Sequence, residues 1–212
     1  MNNEQLPPIL DFNSNTNKGM LFDTRDGQSY PVVKIGSQIW LAENFRYLPS
    51  IKDKGDKYEN SWVYENNNDY LDLHYGRFYD WDTAKSIAPE GWRLPSNKDF
   101  KELRDFIIKD NYLNENGSYK VGIYLKSANG WDPYKETVNN DKYGFNAKPA
   151  GYFNGDNFCD TKKYGDFWST TAEKDSNYAN YWNLHYTNEG FNRNRGCCNN
   201  DGFSVRLIKD IK

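Results

Sequence analysis

The stretch Leu94-Pro95-Ser96-Asn97-Lys98-Asp99-Phe100-Lys101-Glu102-Leu103 carries the clearest helix start in the chain. Ser96 stands where its hydroxyl can cap free backbone N–H groups, and Asp99, three residues on, takes the capping-box position. Phe100, Leu103 and Ile107 then recur at i, i+3 and i+7, which places them on one apolar face. The helix is expected to end near Lys109, before Asp110-Asn111. A shorter helix is expected at about Asp82 to Ile87. Upstream, Tyr30-Pro31-Val32-Val33-Lys34-Ile35 and Gln38-Ile39-Trp40-Leu41 flank Gly36-Ser37, a two-residue signal for a tight hairpin.

Beyond the helix the pattern changes to short β-like runs separated by Gly, Asn and Asp: Gly122 to Lys126, Tyr143 to Ala147, Phe167 to Thr171, Tyr181 to Tyr186 and Phe203 to Ile208. In the fourth, Trp182, Leu184 and Tyr186 are expected inside and Asn183 and His185 outside. In the last, Phe203, Val205 and Leu207 alternate with Ser204 and Arg206. One or two helices followed by antiparallel strands, with no repeated βαβ unit, predict an α+β domain with a small, mainly antiparallel sheet. Residues 1–20, with Pro7-Pro8 and an Asn-rich run, read as a flexible N-terminal arm, with order beginning near Leu21. The polar runs between residues 50 and 74 read as surface loops around Trp62 and Tyr64.

The 212 residues carry 27 Lys and Arg against 30 Asp and Glu, a net charge of -3. That balance argues against nucleic acid as a partner, since such binding needs a basic field. Trp 7, Tyr 17 and Phe 12 stand beside only about 29 Ile, Leu and Val, below usual globular usage, so the core is expected to be aromatic. Trp40, Trp92, Trp131 and Trp168 are assigned to it. No run approaches the ~18 apolar residues of a membrane span, and the N-terminus lacks the basic and apolar regions of an export signal. Cys159, Cys197 and Cys198 fit neither a disulfide framework nor a zinc site and read as free thiols. With two histidines, His74 and His185, and no hydrolase, zincin, Walker or dinucleotide motif, no catalytic residue, metal ligand or cofactor is assigned. Asn154, Asp156, Asn157 and Asp160 miss the EF-hand spacing and read as a solvated turn.

Eight ordered segments carry a resemblance. They are Asp26-Gly27-Gln28-Ser29-Tyr30, Ile35-Gly36-Ser37-Gln38-Ile39-Trp40-Leu41-Ala42-Glu43-Asn44, Tyr75-Gly76-Arg77-Phe78-Tyr79-Asp80-Trp81, Pro89-Glu90-Gly91-Trp92-Arg93-Leu94-Pro95-Ser96, Tyr143-Gly144-Phe145, Pro149-Ala150-Gly151, Phe167-Trp168-Ser169-Thr170-Thr171 and Gly202-Phe203-Ser204-Val205-Arg206. Together they resemble the Fibrobacter succinogenes major paralogous domain family, over roughly residues 21–210, which makes 21–212 the domain. The resemblance implies a surface or secreted setting in Bacteroidetes-like bacteria and an adhesive role. The segment around Trp92 to Ser96 and the closing strand also look like C-type-lectin-like domains, which implies that fold, with long loops. The Glu-Pro-Asn and Trp-Asn-Asp motifs of calcium-dependent sugar binding do not occur, so neither metal nor mannose is carried over. Family members usually have Cys where this chain has Ala88 and Leu207. Their joint replacement implies a packed apolar pair in place of a disulfide, and folding inside a reducing compartment with later release.

The segment from residue 177 to 201 is biased toward Asn, Tyr and Arg. Its candidate ligand-binding residues are Tyr181, Asn183, His185, Tyr186, Asn188, Phe191, Asn192, Arg193, Asn194, Arg195, Asn199, Asn200 and Asp201. Aromatic, amide and guanidinium groups are the types enriched in binding hot spots. From Tyr186 to Ser204 only Glu189 cannot be encoded by a codon ending in a pyrimidine. Diversity-generating retroelements, which mutate Asn-type codons near the ends of C-type-lectin-like domains, leave such a mixture. About 28 asparagines overall offer a plainer source for the bias. The expected function is a non-catalytic module binding a cell-surface glycan or protein, helped by Trp62 and Tyr64. The alternatives are a structural subunit of a filament or phage-like particle, or a formylglycine-generating-type oxidase.

Overall fold

The computed structural model describes residues 6–48, 61–64, 75–113, 115–135, 138–198 and 200–210. Its chain starts with an antiparallel hairpin, β1 (Ile9–Asn13) and β2 (Lys18–Asp23), so residues 9–20 are sheet and not the expected arm. The polar sequence disguised it because β1 is an edge strand: Ile9, Asp11 and Asn13 face out while Leu10 and Phe12 pack on the core. β3 (Gln28–Ile35) and β4 (Gln38–Leu41) form the hairpin expected at Gly36-Ser37, with Gly36 at φ +61°. With β14 (Ile208–Lys209) and β7 (Trp92–Arg93) they complete a six-stranded sheet in the order β1-β2-β3-β4-β14-β7.

The second six-stranded sheet runs β12-β11-β10-β13-β6-β5, from β12 (Asn192–Cys197), β11 (Tyr178–His185), β10 (Tyr164–Ala172), β13 (Phe203–Ser204) and β6 (Phe78–Tyr79) to β5 (Ser61–Trp62). All its neighbours are antiparallel except β10 and β13. A small hairpin, β8 (Tyr152–Phe153) with β9 (Phe158–Cys159), lies beside it. Helix α1 spans Trp81–Ser86 and α2 spans Asn97–Asp110. The α2 start forms as its sequence demands: Ser96 Oγ accepts from the Asp99 amide and the Asp99 carboxylate accepts from the Ser96 amide. Burial alone would raise the Asp99 pKa, but hydrogen bonds from Arg93 and Ser96 outweigh it and hold the carboxyl at about 2. Among the described residues the molecule is therefore mainly β with two α-helices.

Two runs read as strands are otherwise. Gly122 to Lys126 begins as the end of a 3-10 helix, Glu115–Tyr124, and Tyr143 to Ala147 is a turn; they touch through one parallel bridge, Lys126 to Ala147. Most of residues 50–74, the expected loops, lie outside the described residues; Trp62 stands on β5. The Asn154 carboxamide accepts from the Asp156 and Asn157 amides at 3.0 and 2.8 Å, which makes the expected turn.

Two aromatic-rich clusters fill the interior, one around Tyr30, Phe45, Tyr79 and Trp168, the other around Trp40, Phe100, Phe145 and Phe167. Trp131 only borders the second. Leu207 is fully buried in the first cluster, and Ala88 is partly buried against the same cluster. The closing segment does not run as one alternating strand. It leaves the second sheet after Ser204 and enters the first at Ile208, so both sides are covered and Ser204 and Arg206 are buried along with Phe203, Val205 and Leu207. Alternation could not separate inside from outside here because the segment has no outside.

Candidate functional site

Among the described residues strand β12 pairs with β11 alone, which leaves its other edge open. Asn192, Arg193, Asn194 and Arg195 are all exposed. The register sets Arg193 opposite Trp182 and Arg195 opposite Asn180, while Asn192 and Asn194 stand opposite Asn183 and Tyr181. Cross-strand partners share a face, so the two guanidinium groups lie on the side of the sheet covered by α2. Asn97 on α2 identifies that side, donating to Asn180 Oδ1 at 2.6 Å and accepting from Trp182 Nε1 at 3.0 Å. Arg104 of the same helix lies 5.4 Å from the Trp182 ring and 3.8 Å from Asp105, so α2 and β12 border one ridge that carries Arg104, Arg193 and Arg195 beside Asp105 and Glu173. Arg195 pairs with Glu173 at 3.4 Å and lies 5.8 Å from the Tyr178 ring; both contacts are exposed and worth little.

Five of the thirteen candidates turn away from this ridge or are tied up locally. Tyr181 is partly buried, its ring 4.3 Å from Phe203, and packs against the first core cluster. Phe191 is fully buried, 4.9 Å from Trp182 and 5.6 Å from Phe100. Asn183 is buried and donates to Asp166, whose carboxyl burial pushes up to about 8 against the lowering effect of that bond. Asn188 Oδ1 accepts from the Gly190 amide at 3.0 Å, and Asp201 accepts from the Cys197 amide at 2.6 Å to close the turn after β12. On β11, which is paired on both edges, Asn183 is buried and Tyr181 partly so; Phe191 is buried just before β12, whereas Asn188 and Asp201 brace the turns on either side of β12 and Asn188 stays exposed. Asn199 lies outside the described residues, and Asn200 is exposed beside Gly155 of the β8–β9 turn.

The Fibrobacter succinogenes major domain model matches residues 33–209. This chain belongs to that family. No curated protein and no solved structure matches it. The family domain thus contains α2, β11 and β12, whereas β1, β2 and the start of β3 precede the matched stretch.

Within the family domain, His185 and Tyr186 leave the ridge at the far end of β11. His185 Nδ1 lies 2.6 Å from Thr187 Oγ1, and its ring is 4.3 Å from Tyr164. Burial first, then the charge of Lys126, lowers its pKa. Lys126 is itself buried and donates to the carbonyls of His185 and Asn188 at 2.6 and 2.7 Å, which fixes this bend; burial depresses its pKa to about 8, opposed by the charge of Glu189. Trp62 cannot assist β12. It lies on β5 at the opposite edge of the sheet, about 24 Å away at the usual strand spacing, where its ring stacks 4.7 Å from Phe153. Tyr64 packs 5.3 Å from Phe158 on the same side. Sequence reasoning missed Arg104, which an i+4 step from Phe100 places next to the α2 face that meets Trp182. Cys198 is buried in the first core cluster and Cys197 is half-buried at the end of β12.

Proposed function

We propose that this Fibrobacter succinogenes major domain is a non-catalytic binding module with a C-type-lectin-like fold, displayed at or beyond the cell surface, that takes a cell-surface glycan or protein on strand β12. The observation that carries the reading is that Asn192, Arg193 and Asn194 are exposed and make no side-chain hydrogen bond or ion pair among the described residues. Side chains that contribute nothing to the fold are free to serve a ligand. Guanidinium groups at Arg193 and Arg195, with Arg104 nearby, concentrate positive charge on a chain of net charge -3. They favour a ligand bearing carboxylate or similar anionic groups, which Arg engages through two parallel hydrogen bonds.

The test is binding of the labelled full chain to a printed array of glycans and surface proteins, compared with Arg193→Ala/Arg195→Ala. The double variant should bind at least tenfold more weakly, a loss of about 1.4 kcal/mol or more. Its melting temperature should match the wild type, since exposed positions without special contacts rarely matter to stability. Undiminished binding would overturn the reading, as would a large fall in melting temperature.

A further inference from the structure

We infer that the recess formed by residues 128–134, Val138, Asn139 and Tyr186 is a subsite for one neutral, hydroxyl-bearing sugar ring. The recess encloses about 220 Å³ and is lined by Trp131, Asp132, Tyr134, Val138, Asn139 and Tyr186, among others. Its size falls below the ~300–1,000 Å³ of pockets for drug-sized ligands and suits a single ring. The walls are held in place. The Asp132 amide donates to Lys162 O at 2.8 Å, the Asn140 amide to Ile123 O at 2.9 Å and the Tyr186 amide to Lys163 O at 2.9 Å. Trp131 Nε1 donates to Ala147 O at 3.2 Å, and the rings of Tyr134 and Tyr186 meet edge to face with centroids 6.0 Å apart.

One polar group of this recess is unspent. The Asp132 carboxylate makes no ion pair or side-chain hydrogen bond among the described residues. This free carboxylate calls for a guest that donates, which leaves hydroxyl groups or an ammonium. The rings decide between them. Lys126 Nζ lies 4.9 Å from the Trp131 centroid and Lys135 Nζ 4.9 Å from that of Tyr134. Each ring already faces a cation, so a second would meet repulsion where a cage for ammonium would offer attraction. A pyranose satisfies both conditions: its C–H face lies on an aromatic ring and its hydroxyls donate to Asp132.

This inference rests on the preceding reading only in treating the domain as a binding module, and the two fail separately. The full chain, ¹⁵N-labelled, is titrated with methyl glucoside, methyl galactoside, methyl mannoside and N-acetylglucosamine, and with choline as the cationic control. The indole N–H resonance of Trp131, identified by its loss in Trp131→Phe, is followed. At least one sugar should shift it saturably below about 100 mM, a range suited to a single small ring, and choline should not. Asp132→Asn and Tyr186→Ala should each weaken that sugar at least tenfold, and Arg193→Ala/Arg195→Ala should leave it unchanged. Asp132→Asn alters no contact of the fold and keeps the test valid if Tyr186→Ala unfolds. Silence with every sugar, an equal response to choline, or wild-type affinity in Asp132→Asn would overturn the subsite. Array binding by the wild type, dependent on Arg193 and Arg195, would still stand in that event.

Discussion

Arg206 places a charge in the interior with no carboxylate in its hydrogen-bond shell; it donates instead to Leu41 O at 3.1 Å, Asn44 Oδ1 at 2.8 Å and Phe145 O. Burial lowers its pKa to about 9, against the attraction of Glu43 and Asp141, and the rings of Phe145 and Phe167 lie 4.5 and 5.4 Å from its guanidinium. Asp166 solves the same problem by the opposite route, staying neutral. Its pKa is raised from 3.8 to about 8, so the fold favours the protonated acid. The stability this gives is fully present below the unfolded pKa and is lost as pH rises through about 8. Asp166→Asn mimics the neutral acid. Thermal melts should show the variant gaining on the wild type by several degrees as pH climbs from about 4 to 8.5, with the curves meeting at the acid end. Parallel curves would show that Asp166 is ionised throughout. Neither Arg206 nor Asn183, the partner of Asp166, announced itself in sequence: both alternate with apolar neighbours as solvent-facing residues do, and nothing local shows that another layer covers them.

Among the elements, α2 was the most legible because its signals are local: a cap, an acidic partner three residues on and an apolar stripe all lie within one short stretch. The β3–β4 hairpin was legible for the same reason. β1 and the bend into β14 were not, since an edge strand and a sheet-to-sheet crossing are defined by neighbours far away in the chain. The candidate site divided similarly. Asn192 to Arg195, picked by residue type, are exposed, whereas Tyr181 and Phe191 share that composition but pack inward, Tyr181 partly and Phe191 wholly. β12 itself carries the next expectation. If the proposed recognition face is diversified by a retroelement, sequencing of this gene across many cells of its source population should find changes at positions 192–195. Phe191 and Gly196 should stay constant, because a Cβ at 196 would lie 2.5 Å from the Phe203 ring. Changes spread evenly over Phe191 to Cys197, or none, would remove diversification from the account and leave a fixed specificity.

At the scale of the whole molecule, the N-terminal hairpin is a structural member even though it precedes the family-matched stretch. Leu10 and Phe12 pack on the first cluster and Leu21 is fully buried within it. Removing residues 1–24 would expose the Leu21 site and turn β3 into an open edge. At about 1.5–3 kcal/mol for each large apolar side chain, the calorimetric melting temperature should fall by about 10 °C or more. An unchanged value would show that residues 33–209 form the complete cooperative unit. The crossing from β13 to β14 has a different consequence, one of timing. Both sheets need Phe203 to Lys209, which pair with β4, β6, β7 and β10, and Arg206 reaches back 165 residues to Leu41. A ribosome makes that segment after every partner it joins, so neither sheet closes until the end of the domain has left the exit tunnel. The nascent chain waits with its strand edges open, and chaperone demand should peak in that interval.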